Sequence, residues 1–185
     1  EDLVSHPKID SLYYGIVHEN SPDRRGIDVA LLYRQDYFYP LSYEAVEVII
    51  YDDSGSRIYT RDVLWVHGIM DAEELHLLVN HWPSRRGGVS HSAPKRMQAA
   101  GVNRDIIARI NQTDPQARII IMGDFNDDPT DKSLAEGLSS RPYSELGPDD
   151  FFNPMLEMHK RGGNTLVYRD RVHLFDQIIR SFCLL

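Results

Sequence analysis

The stretch IIIMGDFNDDPT, Ile119 to Thr130, joins a hydrophobic run to a cluster of oxygen-bearing side chains. The run from Ile119 to Met122 predicts a strand that is buried on both faces of a sheet. Such a strand excludes an unpaired carboxylate from its middle, because burying an ionised aspartate without a partner is costly. We therefore expect Asp124 at the strand end, at the rim of the core and facing a cleft.

The spacing of Asp124 and Asn126 predicts that both side chains face one point, since residues i and i+2 lie on the same side of an extended backbone. Carboxylate and amide oxygens suit Mg²⁺, which takes one or two carboxylates together with waters and phosphate oxygens. Aspartate and asparagine before a proline are also turn chemistry, in which the side chains bond the local backbone. The stretch alone leaves both interpretations open.

A second stretch, LLVNHWPSRRGG (Leu77 to Gly88), also ends an apolar strand in polar groups, here Asn80 and His81. A histidine at a strand end can bind phosphate or move protons near neutral pH. An arginine such as Arg85 can clamp phosphate oxygens through two hydrogen bonds. The alternative is a satisfied rim histidine beside solvated arginines. Trp82 directly follows His81, so it is the aromatic residue best placed to touch a substrate.

The third stretch is VHLFDQIIRS, Val172 to Ser181, in which Asp176 interrupts an apolar strand. An aspartate that faces a core needs a strong partner, and a common partner is a catalytic histidine that the carboxylate orients. An aspartate on the exposed face of an edge strand is the alternative. The alternation of the strand is compatible with either.

The remaining chain predicts many strands and few helices. A helix is expected from a cap at Ser92 to about Asn111, and a short capped helix in the segment that follows Asp128. The further strands predicted are Gly26 to Arg34, Tyr43 to Tyr51, Arg61 to Met70, Glu74 to Trp82, and one in NTLVYRD before a tight turn. This pattern indicates a β-rich α/β (α+β) domain in which helices cover sheets.

The composition narrows the function classes. The chain has 185 residues, enough for one domain with a sizeable core, and a net charge of −8. The negative charge counts against a non-specific binder of long nucleic acids. No apolar run approaches the ~20 residues of a membrane span, and the single cysteine allows no internal disulfide. No obligate protein partner is evident, and no feature indicates a localisation.

Together these stretches resemble the endonuclease/exonuclease/phosphatase superfamily, and the sequences of the motifs are most similar to a bacterial branch of it. Four motifs in order carry the resemblance: RGIDVALLYR (Arg25 to Arg34), NHWPSR (Asn80 to Arg85), GDFND (Gly123 to Asp127) and LFDQII (Leu174 to Ile179). The resemblance implies a DNase I-like four-layer sandwich, with two mixed β-sheets flanked by helices. It also implies cleavage of phosphate esters with Mg²⁺, or with Mn²⁺ in its place.

The resemblance implies a role for several individual residues. Asp124 is similar to the carboxylate that positions or deprotonates the attacking water, and Asn126 to its partner in the metal or phosphate shell. His81 resembles the histidine that contacts the scissile phosphate. Asp176 resembles the acid that orients a second, C-terminal histidine.

Further positions are expected near the phosphate. Asn80 lies where some members use an amide on the phosphate. Asp28 lies near where some relatives carry an acid paired to the first histidine. Arg85 and Arg96 are predicted to contact phosphate because of their charge and placement.

Two parts of the family pattern are expected outside this chain. The main metal-binding glutamate belongs upstream of the region that matches RGIDVALLYR, and a Ser-Asp-His element belongs after the final residues. We therefore expect residues 1–185 to form a single domain that lacks the first and last strands of the fold. On that basis we expect the chain by itself to bind Mg²⁺ poorly and to turn over little.

The function predicted is hydrolysis of a phosphodiester, as in a nuclease, by in-line attack of an activated water on a nucleic acid or a small phosphodiester. A phosphatase acting on a small phosphorylated sugar or lipid headgroup is the alternative, since the charge of −8 favours a small substrate. A non-catalytic binding module that kept the fold is the alternative from another class. A zinc hydrolase is disfavoured, because the histidines form no HxH or HxxxH pair.

Overall fold

The computed structural model of the protein describes residues 4–7, 9, 12–52, 54–168 and 170–184. In chain order the regular elements are β1 (Tyr14–Glu19), β2 (Val29–Arg34), β3 (Phe38–Val46), β4 (Ile50–Tyr51), β5 (Arg57–Ile58), β6 (Val63–Met70), β7 (Glu73–His81), α1 (Val89–Thr113), β8 (Ile119–Asp124), a π-helical turn (Ser133–Gly137), β9 (Ser140–Arg141), a 3₁₀ turn (Tyr143–Glu145), β10 (Phe151–Phe152), α2 (Met155–Lys160), β11 (Leu166–Tyr168), β12 (Arg171–His173), β13 (Asp176–Ser181) and a 3₁₀ turn (Phe182–Leu184).

A seven-stranded mixed sheet organises the described residues, with the strand order β3-β6-β7-β8-β13-β10-β9. The pairs β7–β8 and β9–β10 are parallel, and the other pairs are antiparallel. Parallel neighbours need a long crossover connection, which α1 supplies between β7 and β8. The carboxyl ends of β7 and β8 therefore lie side by side.

Each face of this sheet packs against a different layer. Helix α1 covers one face, where its Ile106 and Ile110 join Leu78, Ile119 and Ile121 in one apolar cluster. The antiparallel pair β1–β2 covers part of the other face in a second cluster, formed by Val17, Val29, Leu31, Phe38, Leu64, Val66, Leu75 and Leu77. The α+β class of the prediction is thus confirmed, as helices and a second sheet cover a mixed sheet.

Strand β8 shows why its sequence is apolar throughout. Ile119 and Ile121 are fully buried under α1, while Ile120 and Met122 are partly buried on the face that β1–β2 shares. Burial on both faces removes the alternation that a half-exposed strand would show. The chain reaches solvent only at the end of the strand, where polar side chains begin.

Several element boundaries predicted from the sequence are wrong. Helix α1 begins at Val89, and Ser92 lies inside it with its hydroxyl donating to the Gly88 carbonyl at 2.7 Å, so Ser92 is not the cap. The stretch Tyr43 to Tyr51 is divided between β3 and β4. The stretch after Asp128 forms a π-helical turn, not a capped helix.

The stretch Val172 to Ser181 also divides into two strands, β12 and β13. The buried side chains of Leu174 and Phe175 separate them. The Leu174 N–H donates to the Asp128 carboxylate at 2.8 Å and so leaves the sheet ladder. The predicted tight turn is present, since β11 pairs with β12.

No helix among the described residues is both long enough and apolar enough to cross a membrane.

Gly123 allows the close approach of β7 and β8. Its φ angle is 134°, and a Cβ at this position would lie 1.9 Å from the backbone oxygen of Asn80. Both the positive φ and the contact exclude a side chain here.

We therefore expect Gly123→Ala to lower the free energy of unfolding by at least ~3 kcal/mol, since it combines backbone strain with a clash. Gly101→Ala is the matched control, because beyond its own helix a methyl at Gly101 would meet no described atom within 4 Å. In the middle of α1 this change should stabilise by ~0.5–1 kcal/mol. Urea denaturation measures both, and a cost below ~1 kcal/mol for Gly123→Ala would contradict the described contact.

Candidate active site at the ends of β7, β8 and β13

Three polar residues form a row across neighbouring strands. His81 is the register partner of Asp124 in the parallel pair β7–β8, and Asp124 is the register partner of Asp176 in the antiparallel pair β8–β13. His81 Nε2 lies 3.7 Å from Asp124 Oδ2, and both side chains are about one-third exposed, at 30 and 37%. The row lies at one end of the sheet, where solvent can reach it. The fold thus brings together three residues that the sequence singled out separately.

Asn126 links this row to the turn after β8. Its backbone N–H donates to Asp124 Oδ1 at 2.8 Å, and its side-chain amide donates to the Trp82 carbonyl at 3.0 Å. Asn126 has a φ of 52°, a conformation that asparagine tolerates better than most residues. The turn chemistry and the site interpretation are therefore compatible, since the turn orients the Asp124 carboxylate and leaves Oδ2 directed at His81.

The electrostatic surroundings keep His81 neutral. Burial lowers the pKa of the His81 imidazole, and the positive charge of Arg61 lowers it further, while the Asp124 carboxylate opposes both effects. At pH 7 the ring is therefore neutral. One ring nitrogen carries a proton that can be donated, and the other can accept one.

Arg61 is a residue of the site that the sequence reasoning missed. Its guanidinium is buried, donates to the Trp82 carbonyl and binds Asp23 Oδ2 at 3.1 Å. Asp23 is also buried and binds Arg25 at 2.8 Å. Hydrogen bonds from Arg25 hold the pKa of the Asp23 carboxyl far below its usual range, although burial opposes them. The available signal was a charged pair, Arg61-Asp62, placed directly before a buried strand.

Arg85 and Arg96 brace the loop after β8 instead of facing the row. Arg96 is fully buried, and its Nε lies 2.7 Å from Asp127 Oδ2. Arg85 lies 3.1 Å from Asp127 and 2.6 Å from Asp131, and it donates to the Asn126 carbonyl at 2.8 Å. The phosphate contact predicted for these two arginines is therefore not supported, because carboxylates of the protein already occupy their guanidinium groups.

Asn80 and Trp82 also have internal roles. Asn80 is buried on the α1 side of the sheet, where its amide exchanges hydrogen bonds with Asn103 at 2.8 and 3.1 Å. Its oxygen accepts the indole N–H of Trp82 at 2.9 Å. Trp82 is 2% exposed and packs edge-on against Phe125. Neither residue can contact a substrate at the row, so these two predictions are withdrawn.

Asp28 differs from its predicted pairing. It accepts the Ser21 N–H at 2.7 Å and lies 3.4 Å from His18, so its histidine is not His81. Asp176 starts β13 and is exposed, but β13 lies between β8 and β10 and is not an edge strand. The role implied for Asp176, to orient a C-terminal histidine, stays a prediction.

Within the described chain, the carboxylate that orients a histidine behind the site is Asp128. His173 Nδ1 lies 2.8 Å from Asp128 Oδ2, and the His173 ring stacks on Phe175. Burial raises the pKa of the Asp128 carboxyl, but the hydrogen bonds from His173 and the Leu174 N–H outweigh it, so the net shift is downward. The sequence signal was the second acid of the pair Asp127-Asp128, which was taken as turn chemistry.

The site offers oxygen donors for a cation. Asp124 Oδ2, the Asp176 carboxylate across the strand pair and the Asn126 amide oxygen are hard ligands of the kind Mg²⁺ takes. The part of the chain that the structure describes holds no group of three or more His, Cys, Asp or Glu residues placed to bind a metal ion.

Comparisons with known proteins agree with this geometry. The model of the Endonuclease/Exonuclease/phosphatase family matches residues 1–185. No curated protein sequence matches the chain.

Three solved structures share the fold. The human Nocturnin catalytic domain with bound sulfate superposes with a TM-score of 0.63 at 14% identity, covering 96% of this chain and 64% of that one. ANGEL2, a 2′,3′-cyclic phosphatase, superposes with a TM-score of 0.66 at 14% identity, covering 98% of this chain and 66% of that one. The mannosyl-6-phosphatase of Bacteroides thetaiotaomicron VPI-5482 superposes with a TM-score of 0.61 at 13% identity, covering 92% of this chain and 63% of that one. The DNase I-like fold is thus confirmed, and the chain spans less than two thirds of each of these structures.

The environment of His81 generates one prediction. By NMR, the His81 ring should titrate below the ~6.5 of an unperturbed histidine. Asp124→Asn should lower the midpoint further, because it removes the larger of the two negative charges, Asp124 and Asp23, that stabilise the imidazolium. Asp105→Asn, an exposed change on α1, is the control and should leave the midpoint in place. A midpoint at or above 6.5 would refute this account.

The buried pair Arg96–Asp127 generates a second prediction. Arg96→Met should lower the free energy of unfolding by ~3–5 kcal/mol, because it leaves the buried Asp127 carboxylate without its closest cation. Adding Asp127→Asn should recover part of this loss. Arg104→Met on the same helix is the control and should stay within ~0.5 kcal/mol of the parent. Equal effects at the two arginines in thermal or urea unfolding would show that the pair is not structural.

Proposed function

Because the chain belongs to the endonuclease/exonuclease/phosphatase family, we propose that the protein hydrolyses phosphate esters by in-line attack of water at the row His81–Asp124–Asp176. The observation that carries this proposal is the 3.7 Å separation of His81 Nε2 and Asp124 Oδ2 at the adjoining ends of two parallel strands. On the solvent side of this pair, a phosphate and a water can lie within hydrogen-bond reach of both the base and the donor.

In this proposal Asp124 positions the attacking water. Its Oδ1 is held by the Asn126 N–H, so the carboxylate has one defined orientation. Its Oδ2 remains available to accept a proton from water. A carboxylate that is already oriented loses little entropy when the water binds, which is how positioning lowers a barrier.

His81 donates a hydrogen bond to a non-bridging phosphate oxygen. The neutral ring has one N–H, and that donor strengthens its bond as negative charge grows on the oxygen in the transition state. Burial and the positive charge of Arg61 both lower the pKa of the His81 imidazole, so His81 acts as a hydrogen-bond donor and not as a fixed positive charge. Asp176, exposed beside Asp124, adds negative charge that favours a cation at this end of the sheet.

Asp124 and Asn126, with Asp176 beside them, are the residues that would hold Mg²⁺, or Mn²⁺ in its place. When bound, such an ion supplies Lewis-acid stabilisation of the charge on the phosphate oxygens and the leaving group.

For the substrate we propose a phosphodiester as the first candidate and a phosphomonoester on a small molecule as the second. The net charge of −8 favours the second, since a long nucleic acid binds through many cationic contacts. Two structural neighbours, a 2′,3′-cyclic phosphatase and a mannosyl-6-phosphatase, act on small phosphate esters, which also supports a small substrate.

An activity panel on the full-length protein tests the proposal. Bis(p-nitrophenyl) phosphate, p-nitrophenyl phosphate and plasmid DNA are each measured with and without Mg²⁺. We expect metal-dependent turnover of at least one of them, and the preferred ester separates diesterase from monoesterase. A folded protein that turns over none of them would favour the binding module that kept the fold.

Asp124→Ala should lower kcat by ~100-fold or more, because it removes the group that aligns the water. Stability should change little, since the Asp124 side chain is partly exposed. Asp105→Ala on the exposed face of α1 is the matched control and should keep full activity. A loss of less than ~10-fold in Asp124→Ala would remove Asp124 from the mechanism.

A further inference from the structure

A cleft of about 580 Å³ is lined in part by Arg61, one of the charges that act on His81. Its lining includes six cationic side chains: Arg24, Arg25, Arg57, Arg61, Arg86 and Lys95. We call it the cationic cleft. Such a concentration is notable because the chain as a whole has a net charge of −8. Anions are repelled by most of this surface and attracted here.

Three of the six cations are engaged by two carboxylates of the protein, Asp23 and Glu47. Arg25 and Arg61 both bind Asp23, at 2.8 and 3.1 Å. Arg57 forms an ion pair with Glu47. These three side chains are structural and leave little charge for a ligand.

The other three cations are Arg24, Arg86 and Lys95. Over the residues that the structure describes, none of them has a carboxylate within 4 Å. The Arg24 guanidinium lies 5.4 Å from the centre of the Tyr59 ring. Lys95 interacts with Asp52 only through longer-range electrostatics, and the Asp52 carboxylate accepts hydrogen bonds from its own turn. Their positive charge is therefore available inside the cleft.

The cleft adjoins the row. Arg61 and Arg25 belong to its lining and also act electrostatically on His81. Arg61 and Asn126 donate to the same carbonyl, that of Trp82, from the two sides. A phosphate bound at His81 would therefore lie at one end of the cationic cleft.

We propose that the cationic cleft binds a second phosphate of the substrate, held by Arg24, Arg86 and Lys95. The preferred substrate class then carries two phosphate groups, one hydrolysed at the row and one retained in the cleft. Only the fate of the first phosphate rests on the proposed function. A phosphate suits the cleft because its three oxygens can accept from several converging cations, and guanidinium groups present paired donors to them.

Calorimetric titration without metal ions tests this proposal. The probes are a nucleoside 3′,5′-bisphosphate and the corresponding 3′- and 5′-monophosphates. We expect the bisphosphate to bind ~10-fold more tightly than either monophosphate, given charge-assisted contacts to the second group. In the triple variant R24Q/R86Q/K95Q this ratio should fall to about one. R161Q, an exposed arginine after α2, should preserve it.

A ratio near one in the parent protein, or an unchanged ratio in the triple variant, would overturn the proposal. The single variants carry the test if the triple variant does not fold. Titration with the oligonucleotide (dT)4 identifies the source of the second phosphate. If (dT)4 binds more tightly than the bisphosphate and loses this advantage in the triple variant, the second phosphate is that of the neighbouring nucleotide. Because binding is measured without turnover, an intact ratio in an inactive protein rejects only the proposed hydrolysis.

Discussion

The parallel pairing of β7 and β8 is the constraint on which the site depends. Parallel strands end at the same edge of a sheet, and the register of this pair places His81 opposite Asp124. The two backbones come close enough only because Gly123 carries no side chain beside Asn80. A shift of one residue in the register of β8 against β7 would turn each side chain of β8 to the opposite face of the sheet. The carboxylate of Asp124 would then point into the apolar layer under α1.

Buried charges then hold the loop that follows β8. Arg96 reaches Asp127 from α1, and Arg85 reaches it from the segment after β7. Removing such charges from water is costly, and the cost is offset only when partners are fixed in place. The segment that carries Asn126 therefore has little conformational freedom, although it contains no regular secondary structure. The same helix that closes the β7–β8 crossover thus also fixes the turn that orients Asp124.

The sequence indicated where the proposed site lies better than it indicated which side chains each polar residue would contact. Asp124 and His81 were found because polar groups directly follow apolar strands, which is a local signal. Arg96 and Asn80 carry equally good local signals, yet both lie on the α1 side of the sheet and bind protein groups. Residue type does not tell which side of a strand faces a helix. In the same way, Asp128 binds His173 at 2.8 Å, although Asp176 had the more conspicuous setting in the sequence.

The sequence by itself determined that the segments of β7 and β8 are buried strands and that oxygen-bearing side chains begin where these strands end. These properties follow from hydrophobic periodicity and turn chemistry, which act over a few residues. Only the tertiary structure decided which polar groups meet. His81 and Asp124 belong to separate strands joined by a long helix, and four strands separate Asp23 from Arg61 along the chain. Such pairs depend on strand register and on the layer that covers each face, and both are set by the packing of the whole domain.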